Sequence, residues 1–313
     1  MQRRIFLVAA LTILVAAIMA SAAPVRLART PDYHAGKIAF SYLGDIWVVH
    51  EDGSNPQRIT DNTARDINPR FSPDGRWIAF SSNRYGNYDV FIVPAAGGAP
   101  RRLTYHTGND EVVEWTPSSQ NVIFRATRGD GVFPSVATLY QVSTEGGPET
   151  PMPVDWGWWG SYSIDGKQFL FNRHPAVWSR KHYRGSYAAD IWVADLAAKT
   201  YRQILSGENY NRFWPMWGSK DEIYFVADPL PNDKSIKPGS PEVRKSANNI
   251  YRVSAKSGAQ PVQVTRHTDG NVFYPSMSGD GKVIVYEANF GLWKLDVSSG
   301  KTAEVKIDIT SDE

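Results

Sequence analysis

The stretch FSPDGRWIAFSS, Phe71–Ser82, decides how the rest of the chain is read. An aromatic residue precedes Ser-Pro-Asp-Gly, a turn sequence in which Pro73 presets the second position and Gly75 accepts positive φ. The following RWIAFSS alternates and is rich in strand formers. YDVFIVP then reads as a third strand, AAGG as a second tight turn and PRRLT as an outer strand. With PRF as a short first strand, residues 68–104 make one unit of four strands.

The unit recurs six times. Its third strand opens at Asp45, Asp89, Thr138, Asp190, Asn249 and Gly291, in steps of 44, 49, 52, 59 and 42 residues. Repeats of this length, each with several short strands, indicate propeller blades. One four-stranded sheet cannot bury both its faces, whereas a ring of sheets buries both and leaves only short edges. The expectation is an all-β, six-bladed β-propeller of four-stranded antiparallel blades, with almost no helix. Its blades cover about 29–62, 66–104, 110–152, 156–206, 211–265 and 271–310, with 311–313 a tail. The first and sixth copies each carry their own four segments. The ring should therefore close by side-chain packing, without strand exchange.

Local roles follow from the repeat. Phe71, Trp115, Tyr162, Trp217 and Met277 recur before the first turn and should pack blade against blade. Asp45, Asp89, Asp190 and Asn249 open third strands, where they can accept hydrogen bonds from turn amides. Asp74 and Gly75 shape the first turn of the second blade.

Composition narrows the function classes. The 313 residues are 42% hydrophobic with 11 tryptophans, ample for a core in which each unit packs on its neighbours. The formal charge of +2 and the lack of any like-charge block give no reason to invoke nucleic acid. There is no cysteine, which excludes disulfides, thiolate metal sites and cysteine nucleophiles. At the N-terminus MQRR precedes the apolar run Ile5–Ala20, and Ala20-Ser21-Ala22 has the small-x-small pattern of a signal-peptidase site. The run is 16 residues, short of the roughly 20 that a spanning helix needs. Residues 1–22 are therefore expected to be a signal peptide and the remainder an exported, periplasmic protein. No membrane association is expected beyond that segment, apart from envelope attachment if it is retained.

Strands that run up and down sort the loops onto two faces. The turns joining first to second and third to fourth strands are short and share one face. The second-to-third loops share the other, and three of them are long: 126–137, 172–189 and 228–247. Unequal loops on one rim of a rigid ring are where recognition tends to reside. The fourth-blade loop carries Arg173, Arg180, Lys181 and Arg184 with His174 and His182, and no acid before Asp190. Such a cluster suits an anion such as a carboxylate held by guanidinium forks; a solvated basic loop is the alternative.

Catalytic signatures are mostly decoys. SGKT, Ser299–Thr302, lacks the first glycine of a phosphate loop, because Leu295 stands there, and it lies between strands. No calcium-loop run of alternating acids occurs, no paired histidine spacing suits a metal, and no G-x-S-x-G elbow is present. No catalytic residue, metal site or cofactor is nominated. An enzyme working at the central channel would need perturbed carboxylates or histidines clustered at the axis.

The segment RFSPDGRWIAFSSNRYGNYDVFIVPAAGGAPRRLTYHTGNDEVVEWTPSSQNVIFRA, with GDIWVV in the first unit and HYRGSYAADIWVADL in the fourth, resembles the first propeller of tricorn-type serine proteases. The resemblance runs from about Arg29 to Asp312. Its SPDG…IAF element is shared with TolB-like and prolyl-oligopeptidase-type propellers. The resemblance implies an envelope-facing peptidase system that degrades oligopeptides. In that family a second propeller, a PDZ domain and the catalytic serine domain follow, and none of their catalytic residues has a matching position here. The chain is thus expected to be a non-catalytic propeller that gates or docks oligopeptides for a catalytic protease chain or half. A free-standing, TolB-like interaction propeller is the alternative, although TolB-like proteins carry an extra domain before the ring. The resemblance also implies a channel beside the active site with loop arginines that hold a peptide's terminal carboxylate. The matching loop is that of the third blade, with Arg125 and Arg128.

Overall fold

The computed structural model describes residues 25–309, apart from 129–136, 155, 176–178, 180, 182, 184, 206–210, 220, 229–246 and 257. The signal-like segment 1–22, the tail 311–313 and most of the fifth-blade loop lie outside the described residues. Among those described there are 24 strands and no helix, hence none long and apolar enough to cross a membrane.

The strands form six four-stranded antiparallel sheets, each built from four strands consecutive in sequence. Blade one comprises β1 (Arg29–His34), β2 (Lys37–Tyr42), β3 (Asp45–His50) and β4 (Gln57–Arg58). Blade two comprises β5 (Asp66–Phe71), β6 (Trp77–Ser82), β7 (Asp89–Pro94) and β8 (Arg101–Arg102). Blade three comprises β9 (Asp110–Trp115), β10 (Asn121–Ala126), β11 (Thr138–Ser143) and β12 (Thr150–Pro151). Blade four comprises β13 (Gly160–Tyr162), β14 (Gln168–Asn172), β15 (Ile191–Asp195) and β16 (Thr200–Ile204). Blade five comprises β17 (Arg212–Trp217), β18 (Glu222–Ala227), β19 (Asn249–Ser254) and β20 (Val262–Gln263). Blade six comprises β21 (Phe273–Met277), β22 (Val283–Ala288), β23 (Gly291–Asp296) and β24 (Thr302–Val305). Third strands open at the residues read from the repeat, except in blade four, where Ile191 replaces Asp190.

The core lies between blades. One apolar cluster joins Ala39, Ile46 and Val48 of blade one to Phe71, Ile78 and Phe80 of blade two. Trp115 of blade three is 1% exposed and packs on Val90, Ile92 and Leu103 of blade two. Its indole N–H donates to the Arg70 carbonyl at 2.9 Å. Trp217 of blade five likewise packs on Leu170 and Val193 of blade four. The recurring large residues are therefore wedges between sheets. Removing one such aromatic from a core typically costs about 3–5 kcal/mol.

In blades one, two and five, side chains also tie the outer segment to the third strand. Asp45 accepts from Arg58 Nη2 at 2.6 Å, and Ile46 N donates to Thr60 Oγ1 at 2.9 Å. Asp89 pairs with Arg102 at 2.7 Å, and Val90 N donates to Thr104 Oγ1. Asn249 accepts from Thr265 Oγ1 and from the His267 amide. The acceptor role read for these residues thus includes side chains of the outer strand as well as loop amides. In the first turn of blade two, Asp74 accepts from Ser72 Oγ and the Arg76 amide. Gly75 adopts φ +70°, and a Cβ there would stand 2.4 Å from His34 Nε2.

Among the described residues no strand is exchanged at the closure. Blade six meets blade one through Val285 and Leu292, which pack with Ile38, Phe40 and Val49. Glu287 accepts from the Thr30 amide and the Arg29 guanidinium, both at 2.6 Å. The seam is more than side-chain packing, because Val25 N donates to Ile307 O and Leu27 N to Phe290 O.

Candidate functional site

The first strand of every blade is innermost, so six strands surround the axis. The pairing of that strand with its neighbour shifts register in blade three and, at a residue of left-handed φ, in blades one, two, five and six. Thr30, Asn68, Trp214 and Tyr274 take left-handed φ of 45–54° at these shifts. Such a bulge bends the strand and re-aims the next side chains. The residue just before each recurring large side chain lines an axial cavity, as does Asp32 before Tyr33 in blade one: Asp32, Arg70, Glu114, Ser161, Met216 and Ser276.

The cavity measures about 780 Å³, within the roughly 300–1,000 Å³ typical of ligand pockets. It opens between the turns that join first to second strands, where Pro73, Pro117, Ile164 and Gly279 form its lip. It is thus a funnel on the short-turn face, opposite the long loops. Trp159 and Trp214 line its inner end, each packed edge-on or tilted against Tyr274.

Charge is unevenly distributed around this ring. Blades one to three supply Asp32, Arg70 and Glu114, whereas blades four to six supply hydroxyl and apolar groups. Arg70 donates to the carbonyls of Val113, Pro69 and Pro31 and lies 3.7 Å from Asp32. Asp32 also accepts from the Phe71 amide at 2.7 Å and from the Ser276 hydroxyl, linking blades one, two and six. Burial nevertheless pushes the Asp32 carboxyl above the usual carboxylate range. Burial pushes Glu114 up to about 7, and the nearby Asp32 charge adds to the rise, with only Arg70 and the Trp115 amide opposing it. Glu114 can therefore gain or lose a proton near neutrality. Burial together with Glu114 raises the Tyr162 phenol to about 12.

The arginines singled out in the sequence are placed elsewhere. Arg125 is ion-paired with Glu111 and lies over Trp159 and Trp158, 4.1 and 5.2 Å from the ring centres. Arg128 is held between Asp110 and Glu149, over Tyr140 and Phe124. Carboxylates of blade three thus already engage both guanidinium groups. Arg173 lies over Trp156 and Trp192. Burial lowers the Lys181 pKa, with Asp228 opposing the shift. Arg180 and Arg184 lie outside the described residues. Asp190 accepts from Gln203 at 3.0 Å, while burial raises its pKa against Arg212.

Asp32, Arg70 and Glu114 were not singled out from the sequence. Their signal was a charged residue directly before an inner-strand aromatic, in PDY, PRF and VEW. Among the described residues no group of three or more histidines or acids could hold a metal ion.

The family model described as "Tricorn protease N-terminal beta propeller domain" matches residues 25–301. Tricorn protease homolog 1 of Streptomyces coelicolor is 28% identical over 284 residues, which is 89% of this chain and 24% of that protein. The Tol-Pal system protein TolB of Desulfosudis oleivorans is 40% identical over 70 residues, 21% of this chain and 16% of that protein. The crystal structure of the tricorn protease superposes with a TM-score of 0.75 at 21% identity, covering 93% of this chain and 27% of that one. The chain thus spans about a quarter of the length of these tricorn relatives.

Proposed function

We propose, from the premise that this chain belongs to the tricorn protease N-terminal β-propeller family, that it is the non-catalytic propeller of a tricorn-like serine protease and docks oligopeptides in its axial funnel. The observation that carries this reading is the cavity of about 780 Å³ walled by the inner strands of all six blades. Its apolar and polar walls suit a peptide, whose backbone needs hydrogen bonds and whose side chains need greasy surface. The leader-like segment 1–22 supports export to the periplasm, where a partner chain or half would cut the docked peptide.

The test exploits the absence of cysteine. Ile164, at the funnel lip and 60% exposed, is changed to cysteine and capped with a bulky maleimide. Unmodified short oligopeptides should bind before capping, as read by tryptophan fluorescence, and should neither bind after it nor be cleaved. Binding that survives the cap and is lost through Lys181→Glu would move the site to the long-loop face and overturn the funnel reading. Turnover by the purified chain would overturn its non-catalytic role.

The second reading, a free-standing TolB-like interaction propeller, rests on the 70-residue similarity to TolB. It is favoured if the chain binds no peptide and instead forms a stable complex with a folded envelope protein.

A further inference from the structure

Arg70, Lys282 and Lys294 line the funnel together with five acids, and all of these charges but one are held by partners of their own. Lys282 lies 3.1 Å from Asp280 and Lys294 3.3 Å from Glu51, both at the wider part of the funnel. Asp296 is satisfied by Ser298, Ser299 and a backbone amide, which hold its pKa down at about 2. Arg70 is committed to Asp32 and to three carbonyls. Glu114 accepts only from the amide of its own neighbour, Trp115, at 2.8 Å, and Arg70 acts on it through its charge without pairing. No basic side chain among the described residues forms an ion pair with it.

The funnel neck thus offers a carboxyl group in need of a cation, and its lysines and arginine are all engaged. Across the axis stand Met216, Trp217 and Met277. A carboxylate facing an apolar wall recognises a cation that carries an apolar body. With the neighbouring Asp32 already committed to the Phe71 amide, Ser276 and Arg70, Glu114 offers too few oxygens for a divalent metal, which takes at least several. An ammonium group needs only one strong acceptor, and aromatic faces help to hold it.

We propose that the funnel is a recognition site for organic ammonium ions, with Glu114 as the counter-ion and the Met216–Trp217 side of the ring as the seat of the apolar portion. Resting on the peptide-docking reading, this assigns the polarity of the bound chain: the peptide enters with its free N-terminal ammonium toward Glu114. The carboxyl end then points toward the funnel mouth, where Lys282 and Lys294 stand.

Phenethylamine is the probe, with 2-phenylethanol as its neutral counterpart and 3-phenylpropionate as its anionic one. At pH 8 both Glu114 and the amine carry charge, and tryptophan fluorescence reports occupancy. The amine should bind at least tenfold tighter than either counterpart, and Glu114→Gln should remove that preference. At pH 5, with Glu114 protonated, the preference should also vanish in the unsubstituted protein. Equal affinities at pH 8, or a preference that survives Glu114→Gln, would overturn the proposal. Displacement of the amine by calcium alone would reassign the site to a metal and overturn it as well. Oligopeptides that bind equally well with and without an N-terminal acetyl group would leave docking intact and refute only the assigned polarity.

Discussion

Replacing Glu114 with glutamine should stabilise the protein at pH 8 and do so much less at pH 5. In the fold its pKa is about 7, against an ordinary value of 4.5. The native state therefore holds a proton that the unfolded chain has already released between those values. Stability from this group is full below about 4.5 and is lost as pH rises through about 7. At about 1.36 kcal/mol per pKa unit, ionising Glu114 in place costs at most roughly 3 kcal/mol, less whatever funnel water screens. Glutamine keeps the shape without that cost. An unfolding entropy of about 2.1 cal/mol/K per residue, taken over residues 25–309, converts the gain to a Tm rise of roughly 5 °C at pH 8. The groups facing Glu114 are Asp32 and Arg70 from blades one and two and Tyr162 from blade four. The Tyr162 phenol, at about 12, stays protonated throughout this range, and an Asp32→Asn background removes the neighbouring carboxyl. Differential scanning calorimetry of both proteins from pH 5 to 8 makes the comparison. A Tm difference that stays constant with pH would refute the placement of Glu114 in a desolvated neck.

Other substitutions probe the frame. Gly53→Ala would place a Cβ 1.8 Å from the Lys306 carbonyl oxygen at φ +87°, forcing the blade-one turn away from the end of blade six. The strain and displacement together should cost roughly 3 kcal/mol in urea unfolding, and native-like stability would disprove that contact. Arg128→Ala strips Asp110 and Glu149 of their shared cation and should cost about 3–5 kcal/mol, measured by the same unfolding. A variant of unchanged stability that loses peptide affinity would instead assign Arg128 to a ligand. Trp115→Phe keeps the wedge but leaves the Arg70 carbonyl without its indole donor, for a loss of about 1–3 kcal/mol by chemical denaturation. An unchanged midpoint would show that water replaces the indole.

Much of the frame was legible because its causes are local. SPDG specifies a turn through proline geometry and the positive φ of Gly75, and this needs nothing from the rest of the chain. Alternation along IAFSS and VFIVP fixes which side chains meet the next sheet, since a strand has period two. Six copies of that pattern leave a ring as the arrangement that buries every sheet, and Trp115 and Trp217 stand between blades as the pattern requires. The loop arginines were a less direct guide. Their number was visible, but Glu111, Asp110 and Glu149 lie 14 to 21 residues away in sequence and meet them only through pairing of the blade-three strands.

What the sequence by itself determined, then, is the blade, its repetition and the wedges between copies, because each depends on residues within one unit or on the face a strand presents. The tertiary structure alone decided that the cavity opens among the short turns, and that Asp32, Arg70 and Glu114 meet at the axis. Those three residues stand 38 and 44 positions apart and converge only when the ring closes. Their direction also depends on register shifts in the inner strands of blades one, two and three, and the shifts of blades one, two, five and six sit at Thr30, Asn68, Trp214 and Tyr274. None of these four is a glycine, but each is followed by proline, at Pro31, Pro69, Pro215 and Pro275, so the bulge is marked in the local sequence while the group its strand aims at is decided only when the ring closes.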